Sequence, residues 1–523
     1  MSWNLQKVSA RTMIVTGISG LNILVIILAA TISYSWLWVL PFTLFTAVLA
    51  VLNIRQRGHS VLRNYPILGY ARYLFESVRP ELRQYFFESD LDGKPFNRRQ
   101  RSIVYQRAKN VKQTVAFGMQ GDANVPGHEW LAHSVFPVKV SEEGLRVIIG
   151  NKLCSQPYNM SILNIGAMSY GALSKTAISS LNNGAALGGF AHNTGEGGIS
   201  EYHLQGGDLV WQVGTGYFGC RDKSGRFSPE LFTVNAGRKE VKMIELKLSQ
   251  GAKPGHGGIL PAAKNTPEIA AIRNIDPHTT VFSPPGHTAF SGAVGLVQFI
   301  GQLRKLSGGK PVGFKICIGD KQEFIDICNA IMMTGIIPDF ITIDGSEGGT
   351  GAAPLEFTDH LGMPLYDALS FVSATLKICG LNNDIKLIAA GKIITGFDIL
   401  KVLSLGASAC YSARGMMFSL GCIQALKCDS GHCPVGIATQ QPSLYKGLDV
   451  TDKKVRVANY HKNTIHAVAE LMEACGFASL ADVRPSKFFR KTDALHTQSF
   501  EEIYFNNKEG RLREKSIDAS ILN

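Results

Sequence analysis

Hydrophobic and polar positions divide the chain into two regimes. From Thr12 to Ile54, 43 residues pass without a charge, about twice the roughly 20 that one helix needs to cross a bilayer. The pattern predicts two spans, Thr12–Ser33 and Trp36–Ile54, joined by a minimal turn at Tyr34-Ser35 with Trp36 and Trp38 near the far interface. From about Met160 onward, short β-branched and apolar runs alternate with helical patterns, which predicts βα units and a parallel sheet. Eight runs qualify as strands: Ile162–Gly166, Gly189–His192, Met243–Leu248, Thr280–Ser283, Val312–Ile318, Phe340–Asp344, Lys386–Ala390 and Ala409–Ser412. Helical stretches between and after them include Lys175–Leu187, Gln322–Thr334, Tyr366–Cys379, Gly396–Leu405 and Gly415–Leu426, and a further one covers Lys453–Cys475. The expected fold class is α/β, a (β/α)8 TIM barrel with its active site at the carboxyl ends of the strands, preceded by a two-helix transmembrane hairpin. A doubly wound open sheet satisfies the same spacing.

The expected organisation is a hairpin over 1–58, a basic membrane-proximal region packing on the barrel over 59–150, the barrel with its cofactor sites over 151–440, and a helical extension over 441–523. Lys7 and Arg11 precede the apolar stretch and Arg55 and Arg57 follow it, so the positive-inside rule puts both flanks, and with them the barrel, on the cytoplasmic side of a two-pass membrane protein. A cleaved signal peptide has an apolar core of about 7–15 residues, far shorter than this run.

Composition narrows the class. With 45% hydrophobic and 18% charged residues, the chain is neither disordered nor a small disulfide scaffold. The net charge is +12, and residues 55–112 carry +8 of it, thirteen Lys/Arg against five acidic residues. A basic excess directly after membrane spans fits an anionic lipid surface; a solvated charged face is the plain alternative. Nucleic acid is not expected, because no recognition motif accompanies the charge.

Chemistry concentrates in loops after the strands. Asp344-Gly345-Ser346-Glu347-Gly348-Gly349-Thr350-Gly351 places four glycines within seven residues, removing side chains where backbone must approach something closely. Gly391-Lys392 follows the next strand, and Ala413-Arg414 follows the last. Glycine-bearing loops after the seventh and eighth strands are where such barrels hold a phosphate, and Lys392 and Arg414 are cations in the right place. Gly214-Thr215-Gly216-Tyr217-Phe218-Gly219 matches a dinucleotide fingerprint after the strand-like Leu209–Val213, but a polar turn follows where a helix is required.

Seven of the ten cysteines are scattered through apolar surroundings and read as buried small hydrophobes. Cys422, Cys428 and Cys433 cluster in a polar loop instead, which in a reducing cytoplasm suggests metal. Three thiolates fit an iron–sulfur cluster with an incomplete set of irons. Zinc held with His432, or three unligated thiols, remain alternatives.

Six segments in order resemble the synthase domain of glutamate synthase: Met168–Ser174, Asn193–Gly198, Gln250–Gly255, Ser283–Pro285, Gly348–Gly351 and Cys422–Gln440. The resemblance covers about Arg101 to Gln440. It implies an FMN-binding barrel, a 3Fe-4S cluster on Cys422, Cys428 and Cys433, and an oxidoreductase acting on CH-NH2 donors that converts 2-oxoglutarate and ammonia to glutamate through an imine. It also implies residue roles. Met168, Ser169, Lys315 and Gly348, Gly349, Thr350 and Gly351 would contact the flavin, with Gly391, Lys392, Ala413 and Arg414 at its phosphate. Gln250, Lys253 and Arg273 would hold the dicarboxylate, and Glu196 and Lys253 would serve as catalytic groups. Without the motif, Lys253 and Arg273 would read as surface salt bridging.

The departures from the family pattern are specific. No glutamine-hydrolysing domain with an amino-terminal cysteine is expected, the first cysteine being Cys154, and the 83 residues after Gln440 are too few for the family's carboxy-terminal β-helix. His256 stands where an acidic residue is usual after Lys-Pro-Gly, and Ser412-Ala413-Arg414 replaces a glycine-rich pair. The reading is thus a membrane-embedded FMN and iron–sulfur oxidoreductase served by a protein electron donor, such as a ferredoxin-like protein or reductase subunit, with ammonia from solution or from a separate glutaminase. Other flavin-barrel activities, such as N-substituted glutamate synthesis or 2-hydroxy acid oxidation, and a non-catalytic electron-transfer subunit are the alternatives.

Overall fold

The computed structural model describes residues 9–111 and 113–506; Lys7, Lys112 and the end of the carboxy-terminal extension lie outside them. The chain divides into two units, residues 1–94 and 95–523.

The first unit is helical. α1 (Ala10–Thr31) and α2 (Leu40–Arg55) flank a 3-10 turn, Tyr34–Val39, which starts at the expected Tyr34-Ser35 and carries both tryptophans. The two candidate spans, Arg11–Thr31 and Tyr34–Arg55, are long and apolar enough to cross a membrane; at 1.5 Å per residue, α1 reaches about 33 Å. The hairpin is fastened within its apolar length by Thr43, whose hydroxyl donates to Asn22 Oδ1 at 2.9 Å, while Asn22 Nδ2 donates to the Thr43 carbonyl at 3.3 Å. Side-chain hydrogen bonds between helices are a common fastening where no water competes. A short helix, Ser60–Asn64, leads into α3 (Gly69–Leu82) and a five-residue π turn, Arg83–Phe87.

The second unit is built on a closed, all-parallel barrel. Its strands are β1 (Leu163–Ile165), β2 (His192–Asn193), β3 (Leu209–Val213), β4 (Val241–Lys247), β5 (Val312–Ile316), β6 (Phe340–Asp344), β7 (Lys386–Ala390) and β8 (Ala409–Ser412). Each pairs with its successor, and β8 closes on β1 through Cys410 opposite Leu163. Seven of the eight expected strands are there. The eighth is corrected: Thr280–Ser283 is not a barrel strand, because Val281–Phe282 pairs antiparallel with Ile259–Leu260 in an excursion between β4 and β5. Phe282 is 69% exposed, whereas a barrel strand is covered on both faces. Leu209–Val213, buried at all five positions, takes its place.

Helices lie where the pattern puts them, at Lys175–Gly188, Lys321–Thr334, Leu365–Ile378 and Gly396–Ser404. The one expected at Gly415–Leu426 is shorter, Arg414–Ser419, and frees the cysteine segment from helical geometry. The 26-residue helix Val450–Cys475 packs along Lys175–Gly188 and against Arg98–Ala108, with Asn459 and Asn463 donating to the carbonyls of Ala108 and Arg107 at 3.3 and 2.9 Å. A buried carboxylate in the barrel, Glu245, accepts from Asn193, Gln212 and Thr342 at 2.6–2.8 Å, as a buried polar group must.

Candidate active site

Barrel geometry gathers at one end residues that are far apart in sequence. Met168 and Ser169 follow β1, Glu196 follows β2, Gln250 and Lys253 follow β4, and Lys315 lies near the end of β5. Gly348–Gly351 follow β6, Gly391 and Lys392 follow β7, and Ala413 and Arg414 follow β8. Arg273 comes from elsewhere, the end of helix Pro267–Arg273 in the excursion after β4. The cysteines lie beyond the helix that follows β8.

One half of this end is a cluster of charge. Lys247, the last residue of β4, stands 2.8 Å from Glu196 Oε1 and donates to Gln250 Oε1 at 2.7 Å. Burial pushes the Glu196 carboxyl up, but its ion pair and hydrogen bond with Lys247, helped by Lys253 and Arg273, outweigh that and hold it below the ordinary range. Burial and the neighbouring Lys247 push Lys253 down; its Nζ donates to the Gly257 carbonyl at 3.3 Å. Burial brings Arg273 down to about 10. Its Nη2 donates to the Tyr170 carbonyl at 3.1 Å, its guanidinium lies 4.9 Å from the centre of the Phe218 ring, and its buried Nε has no hydrogen-bond partner among the described residues. An unpaired cationic donor beside a second buried cation suits an anionic ligand. The Gly214–Gly219 loop thus serves as a wall of this cluster: a Cβ at Gly214 would lie 2.4 Å from Glu196 Oε2. The turn after it opens no dinucleotide helix, as the sequence predicts.

The other half is a bed of backbone and cations. Lys315 Nζ lies 3.1 Å from Asp344 Oδ2, which also accepts the Gly251 N–H at 3.0 Å. Burial opposes the Lys315 charge, yet Asp344 and Glu245 more than restore it, so its affinity for the proton is raised. A Cβ on Gly251 would lie 1.7 Å from the Gly345 carbonyl oxygen, so the loops after β4 and β6 meet backbone to backbone. Gly349 is faced by Arg414, whose Nη2 donates to the Glu347 carbonyl at 2.7 Å and whose guanidinium lies 4.7 Å from the centre of the Phe96 ring. Burial brings Arg414 down to about 10. Gly391 and Lys392 both have positive φ, +153° and +46°, a bend that turns the loop after β7 toward Glu347, whose Oε1 would lie 3.5 Å from a Cβ on Gly391.

The cysteine segment adjoins this bed. A Cβ at Gly351 would lie 3.9 Å from Cys428 Cβ. Burial, helped by the nearby Cys428 and Cys433, brings the Cys422 thiol up to about 11, and burial with Cys433 beside it raises the Cys428 thiol. Lys264 turns toward them, donating to the Cys428 carbonyl at 3.0 Å. Among the described residues no three His, Cys, Asp or Glu side chains converge on one metal ion, and His432 is exposed with Nδ1 against the Ser430 carbonyl at 2.9 Å.

Sequence reasoning missed Lys247, Asp344 and Glu245. Lys247 and Asp344 are charged residues at the carboxyl ends of barrel strands, and that position was the available signal.

Residues 132–478 match the family model described as the conserved region in glutamate synthase. The chain is 38% identical over 482 residues to the glutamate synthase large subunit-like protein YerD of Bacillus subtilis, covering 84% of this chain and 91% of that one. It is 37% identical over 325 residues to an archaeal glutamate synthase [NADPH] of Methanocaldococcus jannaschii, covering 62% of this chain and 60% of that one. The glutamate synthase [NADPH] large chain of Bacillus subtilis is 32% identical over 338 residues, 63% of this chain and 21% of that one. A match over most of the barrel unit, and over nearly the full length of one relative, places this chain in the glutamate synthase family, as an oxidoreductase of the kind that acts on CH-NH2 donors.

Proposed function

We propose that the protein is a membrane-anchored glutamate synthase that forms glutamate from 2-oxoglutarate and ammonia by reducing an imine. The observation that carries this is the meeting of Glu196, Lys247, Lys253 and Arg273 at the carboxyl end of the barrel, with an unpaired donor on Arg273. Ammonia arrives from solution or from a separate glutaminase. The two apolar helices hold the enzyme in the cytoplasmic membrane with the barrel on the cytoplasmic side, as the flanking Arg11, Arg55 and Arg57 favour.

The residues present fit FMN. Gly348, Gly349, Thr350 and Gly351 give a backbone bed beside Met168, Ser169 and Lys315, and Gly391, Lys392, Ala413 and Arg414 would hold a phosphate. Cys422, Cys428 and Cys433 fit a 3Fe-4S cluster, which takes its thiolates on separate irons and so needs no convergence on one ion. When bound, the flavin supplies a hydride, and the cluster relays to it electrons from a protein donor.

The chain's own side chains bind and orient. Lys253 and Arg273 pair with the two carboxylates of the substrate, and Gln250, fixed by Lys247, offers its amide as a further donor. Glu196, kept ionised by Lys247, places negative charge beside the cationic imine nitrogen, and its carboxylate can take the proton that nitrogen loses as ammonia adds to the keto carbon and return it to the departing hydroxyl, which leaves as water. Lys315 puts a stable positive charge against the flavin bed.

Anaerobic purification in mild detergent, with FMN and iron quantified and low-temperature electron paramagnetic resonance recorded after gentle oxidation, tests the cofactors. Stoichiometric FMN with a three-iron signal is expected. The same sample should then form glutamate from 2-oxoglutarate, ammonium and a chemical reductant; both cofactors present without glutamate would sink the substrate and favour another flavin-barrel reaction or an electron-transfer subunit.

A further inference from the structure

α3 has an apolar face that no described residue of its own unit covers. At 100° per residue, Ala71, Leu74, Phe75, Val78 and Leu82 fall within an arc of about 100°. All five are exposed, Leu74 and Phe75 by 61% and 64%. Arg72, Arg79 and Arg83 fall within about 40° of one another along one border of that arc; Glu76 lies 3.9 Å from Arg79, and Glu88 lies 3.8 Å from Arg83. The apolar surface continues into the π turn, where Tyr85, Phe86 and Phe87 are 61–80% exposed. Arg72, Phe75, Glu76, Arg79, Leu82, Arg83 and Phe87 line an open groove of about 680 Å³ between the two kinds of surface.

The start of α3 is fixed at the level where α2 ends. Asn53, two residues before the end of α2, donates to the Pro66 carbonyl at 2.5 Å and accepts from the Tyr70 hydroxyl at 3.1 Å. A Cβ on Gly69 would lie 2.9 Å from the Leu62 side chain, so the intervening turn is tightly packed. A helix tied to the end of a candidate span leaves the apolar region at the height of the headgroups. There an apolar stripe bordered by arginines, whose long stems reach toward phosphate, has a ready partner.

We propose that the Ala71–Leu82 face of α3, continued by Tyr85–Phe87, docks on the anionic lipid of the membrane that holds the hairpin, with Arg72, Arg79 and Arg83 at the phosphates. This rests on the reading that α1 and α2 span a bilayer. Charge complementarity selects lipid: the border carries three arginines against two glutamates, within the segment that holds most of the chain's net positive charge.

The full chain, with its cofactors, is reconstituted into nanodiscs of phosphatidylcholine alone or mixed with phosphatidylserine, and hydrogen exchange is followed by mass spectrometry. Exchange over residues 69–87 should slow at least tenfold when phosphatidylserine is present, and the combined variant Arg72→Gln, Arg79→Gln and Arg83→Gln should lose that protection while residues 10–55 stay protected. Equal exchange over 69–87 in both discs overturns the proposal. So does protection that rises with protein concentration instead of lipid charge, which would assign the face to a second copy. Rapid exchange of residues 10–55 in both discs would overturn the anchoring itself, an outcome distinct from free exchange of α3 alone.

Discussion

Lys247 Nζ and Glu196 Oε1 stand 2.8 Å apart across the carboxyl ends of β4 and β2, with 10% and 21% of their side chains exposed. Removing one partner strands the other charge away from water, which costs about 3 kcal/mol for a well-buried pair and less in proportion to its exposure. Lys247→Met should therefore lower stability by roughly 2 kcal/mol in denaturant titration. It should also release Gln250, so that, on the proposed function, the Michaelis constant for 2-oxoglutarate rises. The pH dependence has a definite sign. The Glu196 carboxyl is lower in the folded protein than in the unfolded chain, so its contribution is full above the unfolded value near 4.3 and fades as pH falls through the folded value. Lys247→Met should lose most of that acid-side slope; an unchanged slope would mean that the pair does not set the Glu196 charge.

Much of the barrel was legible because burial on both faces leaves a signature. Lys386–Ala390 and Phe340–Asp344 read as strands from composition alone, and both are. The exchange of Thr280–Ser283 for Leu209–Val213 shows the limit of that signature. Two consecutive β-branched or aromatic residues suit an exposed hairpin as well as a barrel, whereas Leu209–Val213, strand-like in its pattern, carries a polar Gln212 whose partner, Glu245, is apparent only once the barrel closes. Short motifs marked the site loops, since glycines and cations there serve contact with ligand. Lys247 stayed hidden because its role depends on Glu196, 51 positions away, and only closure of the barrel brings the two together.

Outside the active site, Glu129 starts the short strand Glu129–Leu131, which pairs antiparallel with Phe488–Lys491, and it joins that sheet to helix Gly396–Ser404 through Lys401. It accepts from Lys401 at 2.8 Å and from Arg490 at 2.7 and 2.9 Å, and Arg490 also donates to the Tyr504 hydroxyl at 2.8 Å. Burial works against the Glu129 charge, but the two cations prevail and hold it below the ordinary carboxylate range. Glu129→Gln should cost about 3 kcal/mol at neutral pH, and the deficit should shrink as acid protonates the native carboxylate. Thermal melts of both proteins between neutral and acid pH measure this; a constant difference would refute the electrostatic account.

At Gly251 the meeting of two loops leaves no room for a methyl group, since a Cβ would lie 1.7 Å from the Gly345 carbonyl oxygen. Gly251→Ala must push the β4 and β6 loops apart, and overpacking of this kind costs about 1–3 kcal/mol. Because the β6 loop continues into Gly348–Gly351, the expected effect is about tenfold weaker flavin retention, equivalent to 1.4 kcal/mol, with the barrel still folded by circular dichroism. Full FMN occupancy after gel filtration would show that this loop does not shape the flavin bed.

Lys264 is the cation turned toward the cysteine segment, held by the Cys428 carbonyl at 3.0 Å and felt by Cys428, Cys433 and Asp429. Reduction adds negative charge to an iron–sulfur cluster, so a neighbouring cation stabilises the reduced form, and net charge is one of the factors that set such potentials. Lys264→Gln should therefore lower the midpoint potential of a cluster on Cys422, Cys428 and Cys433, by about 30 mV if the cation contributes about 0.7 kcal/mol through a partly solvated path, at 59 mV per tenfold change for one electron. The FMN content should not change. Cys428→Ser should abolish the three-iron signal and leave FMN bound, because the flavin bed is made by the barrel loops, which Cys428 adjoins at Gly351. If Cys428→Ser keeps the signal, or if Lys264→Gln leaves the potential where it was, the cluster does not lie on these three thiols beside Lys264.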